Sequence, residues 1–232
     1  MIKVQATVVI PTYNEALNIS ELLTELKKYD VSVVVVDDSS PDGTADIVAK
    51  HDNTNVHLLK RGKKQGLGKA YIDGFGYALE ELGADVVIEM DGDLSHDPGD
   101  IPRLLDEINE GFDFVIGSRH VKDGAIPHWG PHRRIISYVG NQLARIILGL
   151  RVSDCTSGYR AIKTTALRKI LTEKINVKGY AFQMSLLYYA VLEDAKIKEI
   201  PIVFHRRKAG ESKLGVADIA EFLAELIRLR IE

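Results

Sequence analysis

Val86-Val87-Ile88-Glu89-Met90-Asp91-Gly92-Asp93 is an apolar run that ends in two carboxylates separated by one glycine. A short hydrophobic run that stops at acids is what a buried strand looks like when it delivers side chains to the rim of a sheet. One intervening residue lets both acids share a site, and such a pair can hold a hard divalent cation, Mg²⁺ or Mn²⁺. Its open positions are then filled by water and by phosphate oxygens of a substrate. The triplet alone also reads as a polar turn, because Asp-Gly is a common turn dipeptide. The surrounding chain has to decide between the two.

Working outward, similar β-branched runs recur at residues 7–10, 33–36, 56–59 and 114–116. Segments of helical length and periodicity lie between them, at 15–29, 44–50, 68–82 and 101–110. Strands alternating with helices predict an α/β fold with a doubly wound, mostly parallel sheet, whose continuous apolar strands are covered on both faces. In such sheets ligands collect at the carboxyl ends of the strands. Three polar tips are therefore expected to meet at one edge: Pro11-Thr12-Tyr13-Asn14-Glu15, Asp37-Asp38-Ser39-Ser40-Pro41-Asp42-Gly43 and Asp91-Gly92-Asp93.

The later half changes character. Residues 135–148 and 181–192 read as helices, 157–162 as a short extended piece, and 197–203 as a strand that Pro201 places at an edge. In 216–230, Ile219, Phe222, Leu223, Leu226 and Ile227 recur at helical spacing opposite acids and arginines. Packing of this tail on the core is the favoured reading, and lying on a membrane surface is the alternative.

A chain of 232 residues with 45% hydrophobic content can bury one core and needs no second domain. Thirty lysines and arginines against 33 acids give a formal charge of −3, so no general attraction to nucleic acid is expected. Cys155 is the sole cysteine, which excludes an intrachain disulfide framework and fits a reducing, cytoplasmic setting. No apolar run approaches the roughly 20 residues of a membrane span, which leaves peripheral contact.

Several segments invite a chemical reading. Thr12 or Asn14 reads as a cap with Glu15 on the helix dipole, but that leaves Tyr13 unexplained, and a ring and an acid suit a nucleoside. Of Asp37 and Asp38, one acid can receive a base or ribose while the other stabilises the turn. Gly62-Lys63-Lys64-Gln65-Gly66-Leu67-Gly68-Lys69-Ala70 lacks the Walker spacing and its metal-binding hydroxyl, so a P-loop is rejected, although the turn can still approach an anion. No Gly-x-Gly-x-x-Gly follows the first strand, which disfavours a nicotinamide enzyme. His128 and His132 have zinc-pair spacing but enclose Gly130 and Pro131, which break a helix. Arg119, Arg133, Arg134, Arg206, Arg207, Lys208 and Lys213 form either a solvated face or a set of phosphate donors.

Taken together, Pro11 to Glu15, Val36 to Gly43, Gly66-Leu67-Gly68, Asp91 to His96, Gly117-Ser118-Arg119, Gly179 to Met184 and Gly210 to Lys213 resemble, in order, the family 2 glycosyltransferases. Within that family they are similar to the dolichyl-phosphate (polyprenyl-phosphate) mannose synthases, in the short form without membrane helices. The resemblance implies a GT-A fold, with residues 1–215 as catalytic domain and 216–232 as an amphipathic helix. It implies transfer of mannose, with inversion, from GDP-mannose to dolichyl or polyprenyl phosphate at the cytosolic face of a membrane, through peripheral contact or a small membrane-anchoring subunit. Pro11, Tyr13, Glu15, Val36 and Asp38 then correspond to the nucleoside pocket, and Asp91, Gly92 and Asp93 to the Mg²⁺ or Mn²⁺ and diphosphate site. Ser95, where some relatives have glutamine, stands as a third ligand. Arg119, Arg207 and Lys213 correspond to phosphate and sugar contacts, with Asp91, Asp93 and Arg119 catalytic. Arg119, Arg133, Ser137 and Arg207 correspond to the acceptor phosphate. A polyprenyl-phosphate glucosyltransferase using UDP-glucose and a non-catalytic nucleotide-sugar-binding subunit are the rival readings.

Overall fold

The computed structural model describes residues 4–52, 54–172, 175, 179, 181–207 and 215–231. The strands are β1 (Ala6–Thr12), β2 (Val31–Asp37), β3 (Val56–Lys60), β4 (Val86–Glu89), β5 (Phe114–Ser118), β6 (Arg160–Lys163) and β7 (Ile197–Pro201). They form one sheet in the order β3-β2-β1-β4-β6-β5-β7. β1 pairs in parallel with β2 and β4, β2 with β3, and β5 with β7. β6 alone runs antiparallel to both its neighbours, β4 and β5.

The helices are α1 (Ile19–Leu26), α2 (Thr44–Ala49), α3 (Leu67–Glu80), α4 (Ile101–Asn109), α5 (Pro131–Leu148), α6 (Thr164–Ile170), α7 (Ala181–Leu192) and α8 (Val216–Ile231). Alternation along the strands separates two cores. Val9, Val34, Val36, Val87, Phe114 and Ile116 face one side with α3, α6 and α7. Val8, Ile10, Val33, Val35, Ile88 and Val115 face the other with α1 and α4. This two-sided burial is why the strands are apolar throughout rather than alternating.

The parallel register positions the site. Pairing of Thr12 with Asp37 and of Val9 with Glu89 brings the ends of β1, β2 and β4 to one edge. The turn after β4 comes close to that after β1: a Cβ on Gly92 would lie 3.3 Å from Thr12 Cγ2 and 3.6 Å from Glu15 Cγ.

Several elements differ from the sequence expectation. The helix expected from residue 15 starts at Ile19. Asn14 adopts a left-handed backbone (φ 60°), and the Glu15 amide donates to Thr44 Oγ1 at 3.0 Å, so the start of the segment is a turn tied to the next loop. Neither Thr12 nor Asn14 caps α1: the Thr12 hydroxyl donates to Asp37 Oδ1 at 3.1 Å, and the cap position is Asn18. The extended piece expected at 157–162 is β6, shifted to Arg160–Lys163, while α6 and the 3₁₀ turn Pro98–Asp100 were not anticipated. β7 lies at the sheet edge, as Pro201 requires, and ends on that proline.

α7 is buried almost all round, as befits a helix enclosed by other helices. α8 packs on it through Leu226 and Leu229, and Ser185 Oγ donates to Glu225 Oε1 at 2.6 Å. The tail does pack on the core, by one face.

Gly74 lets α3 approach the sheet. A Cβ there would run into Val9 Cγ1 and come within 3.0 Å of Val36 Cγ2. Gly74→Ala is therefore expected to destabilise the fold by about 1–3 kcal/mol through overpacking. In urea denaturation the midpoint should fall with the slope unchanged; an unaltered midpoint would contradict this account of the α3 contact.

Candidate active site

Above the carboxyl edge lies a cavity of about 930 Å³, in the upper part of the range typical of small-molecule sites. Its polar end collects the three tips anticipated from the sequence: Pro11, Thr12, Tyr13 and Glu15, Asp38, and Asp91, Gly92 and Asp93. Arg119, Arg133, Ser137 and Arg207 line the same space.

The two acids sit in different surroundings. Asp93 is buried; its Oδ1 accepts from the Ser95 amide at 3.0 Å and its Oδ2 pairs with Arg207 at 3.1 Å. Asp91 opens partly to the cavity. Burial and the charge of Asp93 push its carboxyl up to about 7, against the pull of Arg207 and Arg119. Two like charges thus share one recess, which favours a proton or a cation there. Beneath them, burial raises Glu89 to about 8 against the pull of Arg160.

His96 holds the turn from below. Its Nδ1 accepts from the Asp91 amide at 3.1 Å, and its ring stacks on Tyr159 with centroids 4.8 Å apart. Burial lowers its pKa to about 3, so the imidazole is neutral, as an accepting Nδ1 requires. Scattered histidines read as surface or packing residues in the sequence, and nothing in the spacing marks this one as a support for the acids.

Asp38 lines the cavity, yet its carboxylate is largely occupied by the protein. It accepts from Arg61 at 2.9 Å, from the Gln65 amide at 2.9 Å and from the Gly66 amide at 2.8 Å. The glycine turn before α3 does receive an anion, and that anion is Asp38 itself. Asp37 serves its own turn, with Oδ2 accepting from the Ser40 amide at 2.9 Å. Lys64 lies over the Tyr13 ring, 3.6 Å from its centroid, and both line the cavity.

Val36 is corrected. Strand alternation turns its side chain into the core under α3, and it does not line the cavity. Ser95 is buried and is likewise not among the lining residues. Lys213, with the rest of Gly210 to Lys213, lies outside the described residues, as does Tyr180. Arg134 donates to the Ile126, Pro127 and Trp129 carbonyls and builds the loop before α5. Its neighbour Arg133 stacks on Trp129 at 3.9 Å and faces the cavity.

Arg119 is set by a partner that sequence reading missed. Its backbone amide and Nε both donate to Asp154 Oδ2, at 3.0 and 2.7 Å, and its NH2 donates to Asp154 Oδ1 at 2.6 Å. Asp154 is fully buried. Burial alone would raise its carboxyl, but the Arg119 charge and hydrogen bonds reverse that and hold it at about 2. The network extends to α5, where Asn141 accepts from the Cys155 amide at 2.7 Å and donates to the Ser137 carbonyl at 2.9 Å. Asp154 is 35 positions from Arg119, in a stretch with neither strand nor helix periodicity, so only the fold joins them.

The pattern of glycosyl transferase family 2 matches residues 7–171, and the chain belongs to that family of glycosyltransferases. An undecaprenyl-phosphate mannosyltransferase of Micrococcus luteus is 42% identical, over 95% of this chain and 91% of its own. A polyprenol monophosphomannose synthase of Mycolicibacterium smegmatis is 40% identical, over 92% of this chain and 82% of its own. Among solved structures, glucosyl-3-phosphoglycerate synthase from Mycobacterium tuberculosis with Mn²⁺, UDP-glucose and phosphoglyceric acid aligns at TM-score 0.69. It shares 18% identity, with 98% of this chain and 79% of that one covered. Mannosyl-3-phosphoglycerate synthase from Rubrobacter xylanophilus aligns at TM-score 0.68 with 18% identity, over 97% and 72% of the two chains. These neighbours identify the fold as GT-A.

Removing the Asp154 carboxylate would leave Arg119 buried without its counter-charge. Asp154→Ala is expected to cost about 3–5 kcal/mol at pH 7. With a folded pKa of about 2, below the ordinary 3.8, the carboxylate's contribution is present above about pH 4 and lost as pH falls through 2. Urea denaturation of both proteins at pH 7 and near pH 2 should show the gap narrowing in acid; a pH-independent gap would contradict the ion-pair account.

Proposed function

We propose that the chain transfers mannose from GDP-mannose to the phosphate of a polyprenyl lipid, with inversion at the anomeric carbon. The observation that carries this reading is the two-part cavity. The strand-end loops bring carboxylates and arginines to it, while α5 brings Ile135, Ile136, Val139 and Leu143 and α8 brings Ile219, Phe222 and Leu223 beside Asp218 and Glu221. One space thus accepts a charged donor and an apolar acceptor with a charged head. The names of the two curated mannosyl-transferring relatives agree with this pairing.

In the reaction, an oxygen of the lipid phosphate attacks the anomeric carbon from the face opposite the leaving group. The bond to the diphosphate breaks, and GDP departs with the electron pair. The phosphate nucleophile is ionised near neutral pH, so no side chain has to take a proton from it. Two anionic substrates repel each other by about 4 kcal/mol per unit pair at ~4 Å in an effective dielectric near 20. Arg119, Arg133 and Arg207 offset that repulsion from the cavity wall.

Asp91 and Asp93 suit Mg²⁺ or Mn²⁺, because two carboxylates forced together create the charge that a hard cation relieves. No group of three or more acid, histidine or cysteine ligands converges among the described residues, which leaves coordination positions for diphosphate oxygens and water. When bound, the ion supplies electrostatic stabilisation to the departing diphosphate. Tyr13 and Glu15 form the nucleoside end with the rim around Asp38, and Arg133 and Ser137 flank the acceptor phosphate. No helix among the described residues is long and apolar enough to cross a membrane. The proposed reaction places the enzyme in peripheral contact with the cytosolic face, where its lipid acceptor would lie.

Incubation with radiolabelled GDP-mannose, a short polyprenyl phosphate and Mn²⁺ should move label into the organic phase, whereas UDP-glucose should not. Chelation should abolish transfer and re-addition of metal restore it. Asp91→Ala should remove activity with the fold intact by circular dichroism; normal turnover by that variant would sink the metal assignment. Arg133→Ala should raise the KM for the lipid acceptor about tenfold, as loss of a charge-assisted contact does, with little change for the nucleotide sugar. Equal effects on both substrates would count against its place at the acceptor.

A further inference from the structure

Ser137 lines the cavity from α5, and its Oγ lies 3.2 Å from Nε2 of His120. His120 belongs to the turn after β5, 17 positions earlier, and is itself not among the lining residues. That turn is held firmly. The amide of Arg119, one residue before, donates to Asp154 Oδ2 at 3.0 Å, and the His120 amide donates to Ser118 Oγ at 3.4 Å. Gly124 closes the turn: its amide donates to the Val121 carbonyl at 3.0 Å, and a Cβ there would lie 2.7 Å from the Ser118 carbonyl oxygen. On the other side, α5 is tied to the loop after it by Asn141, which accepts from the Cys155 amide at 2.7 Å. Ring and hydroxyl thus meet from two anchored elements.

A hydrogen bond between an imidazole and a hydroxyl can run in either direction, and the direction decides what Ser137 offers the cavity. Burial lowers the pKa of His120 against the pull of Asp154, so near pH 7 the ring is neutral and carries one N–H. With that hydrogen on Nδ1, Nε2 accepts from the Ser137 hydroxyl, whose one hydrogen is then spent, and lone pairs face the cavity. With it on Nε2, the ring donates to Ser137 Oγ and the hydroxyl hydrogen is released toward the cavity. An ionised phosphate monoester offers acceptors alone. It repels the first arrangement and completes the second, as the outer end of a chain from imidazole through hydroxyl to phosphate oxygen.

We infer that His120 is a positioning residue for the lipid acceptor: by donating Nε2–H to Ser137 Oγ, it aims the Ser137 hydroxyl at the acceptor's phosphate. This rests on the proposed transfer to a polyprenyl phosphate and extends that site to a residue behind the cavity wall. Arg119 spends Nε and NH2 hydrogens on Asp154 and Thr156, so a second donor of fixed direction matters at this end of the cavity.

The test is a double-mutant cycle on the full chain, with GDP-mannose, Mn²⁺ and a short, water-soluble prenyl phosphate. His120→Ala should raise the KM for the prenyl phosphate about three- to tenfold, the size of one hydrogen bond, and leave the KM for GDP-mannose unchanged. In the Ser137→Ala background the same change should have no further effect, because the hydroxyl that His120 aims is gone. His120→Gln places an amide N–H near the position of Nε2 and should restore most of the loss. His120→Asn keeps the polarity but falls short of Ser137; it should behave as alanine does, and it carries the cycle if His120→Ala fails to fold by circular dichroism. Equal effects on both KM values, or equal behaviour of the Gln and Asn variants, would overturn the inference. So would a loss that persists undiminished without Ser137, which is what a merely structural role beside Arg119 predicts. If wild type turns over no prenyl phosphate, the proposed reaction falls, and the same cycle read by calorimetric binding of the prenyl phosphate decides the role of His120. Coupling between the two positions upholds it, and additive losses or no binding overturn it.

Discussion

Two carboxylates held together at the end of one strand, against their mutual repulsion, are the constraint around which this molecule is arranged. Parallel pairing of β4 with β1 fixes where Asp91 and Asp93 emerge; Asp93 is buried and Asp91 opens partly to the cavity. The nearby cations do not cancel their charge. Arg119 is shared with Asp154 by contacts of 2.6–3.0 Å, so only part of its charge acts on Asp91. Arg207 reaches Asp93, while Glu15 adds a further negative influence on Asp91. The recess therefore keeps an excess of negative charge. A nucleoside diphosphate would be repelled by that excess, and a divalent cation reverses its sign. In the proposed reaction, metal and donor would therefore bind together.

The cavity divides by the elements that build it. Loops at strand ends provide the charged half, because a sheet presents its ends as irregular backbone that can carry polar side chains. Helices α5 and α8 provide the apolar half, because a helix offers a continuous stripe of side chains. Asn141 joins the halves: it is on α5, yet it binds the loop that carries Asp154, the partner of Arg119. A displacement of α5 would be felt at Arg119 through two hydrogen-bonded links, and no long-range deformation of the sheet is needed.

The fold was legible where burial dictates composition. Val33 to Val36 and Val86 to Ile88 are apolar on successive positions because helices cover both faces, and the three polar tips follow from strand order alone. The start of α1 was misplaced because Asn14 and Glu15 answer to Ser40 and Thr44 across the edge, and such bonds leave no local periodicity. Within the site, the residues with a family pattern were legible, and those that orient them were not. Val36 belongs to the pattern but packs under α3, so motif membership does not place a side chain in the cavity. Asp154 acts beneath a guanidinium 35 positions away and has no spacing that would reveal it. His96 closes the Asp91 to His96 segment, but its role under the Asp91 amide is set by the turn and not by a pattern of residue types.

The same burial that prepares the acids works against stability. Asp91 has an ordinary pKa of 3.8 and about 7 in the folded chain, so between those values the folded state holds a proton that the unfolded state has released. Stability from this group is therefore greatest in mild acid and declines as pH rises toward 7, the opposite of Asp154. Glu89, raised from 4.5 to about 8, acts in the same direction from beneath. Near neutral pH the metal-free protein thus carries strain at the recess. A ligand that needs the ionised carboxylate, and binds the folded state alone, relieves it. On the proposed function, this local cost would be recovered when a cation binds, and the strands on either side hold the recess in place meanwhile.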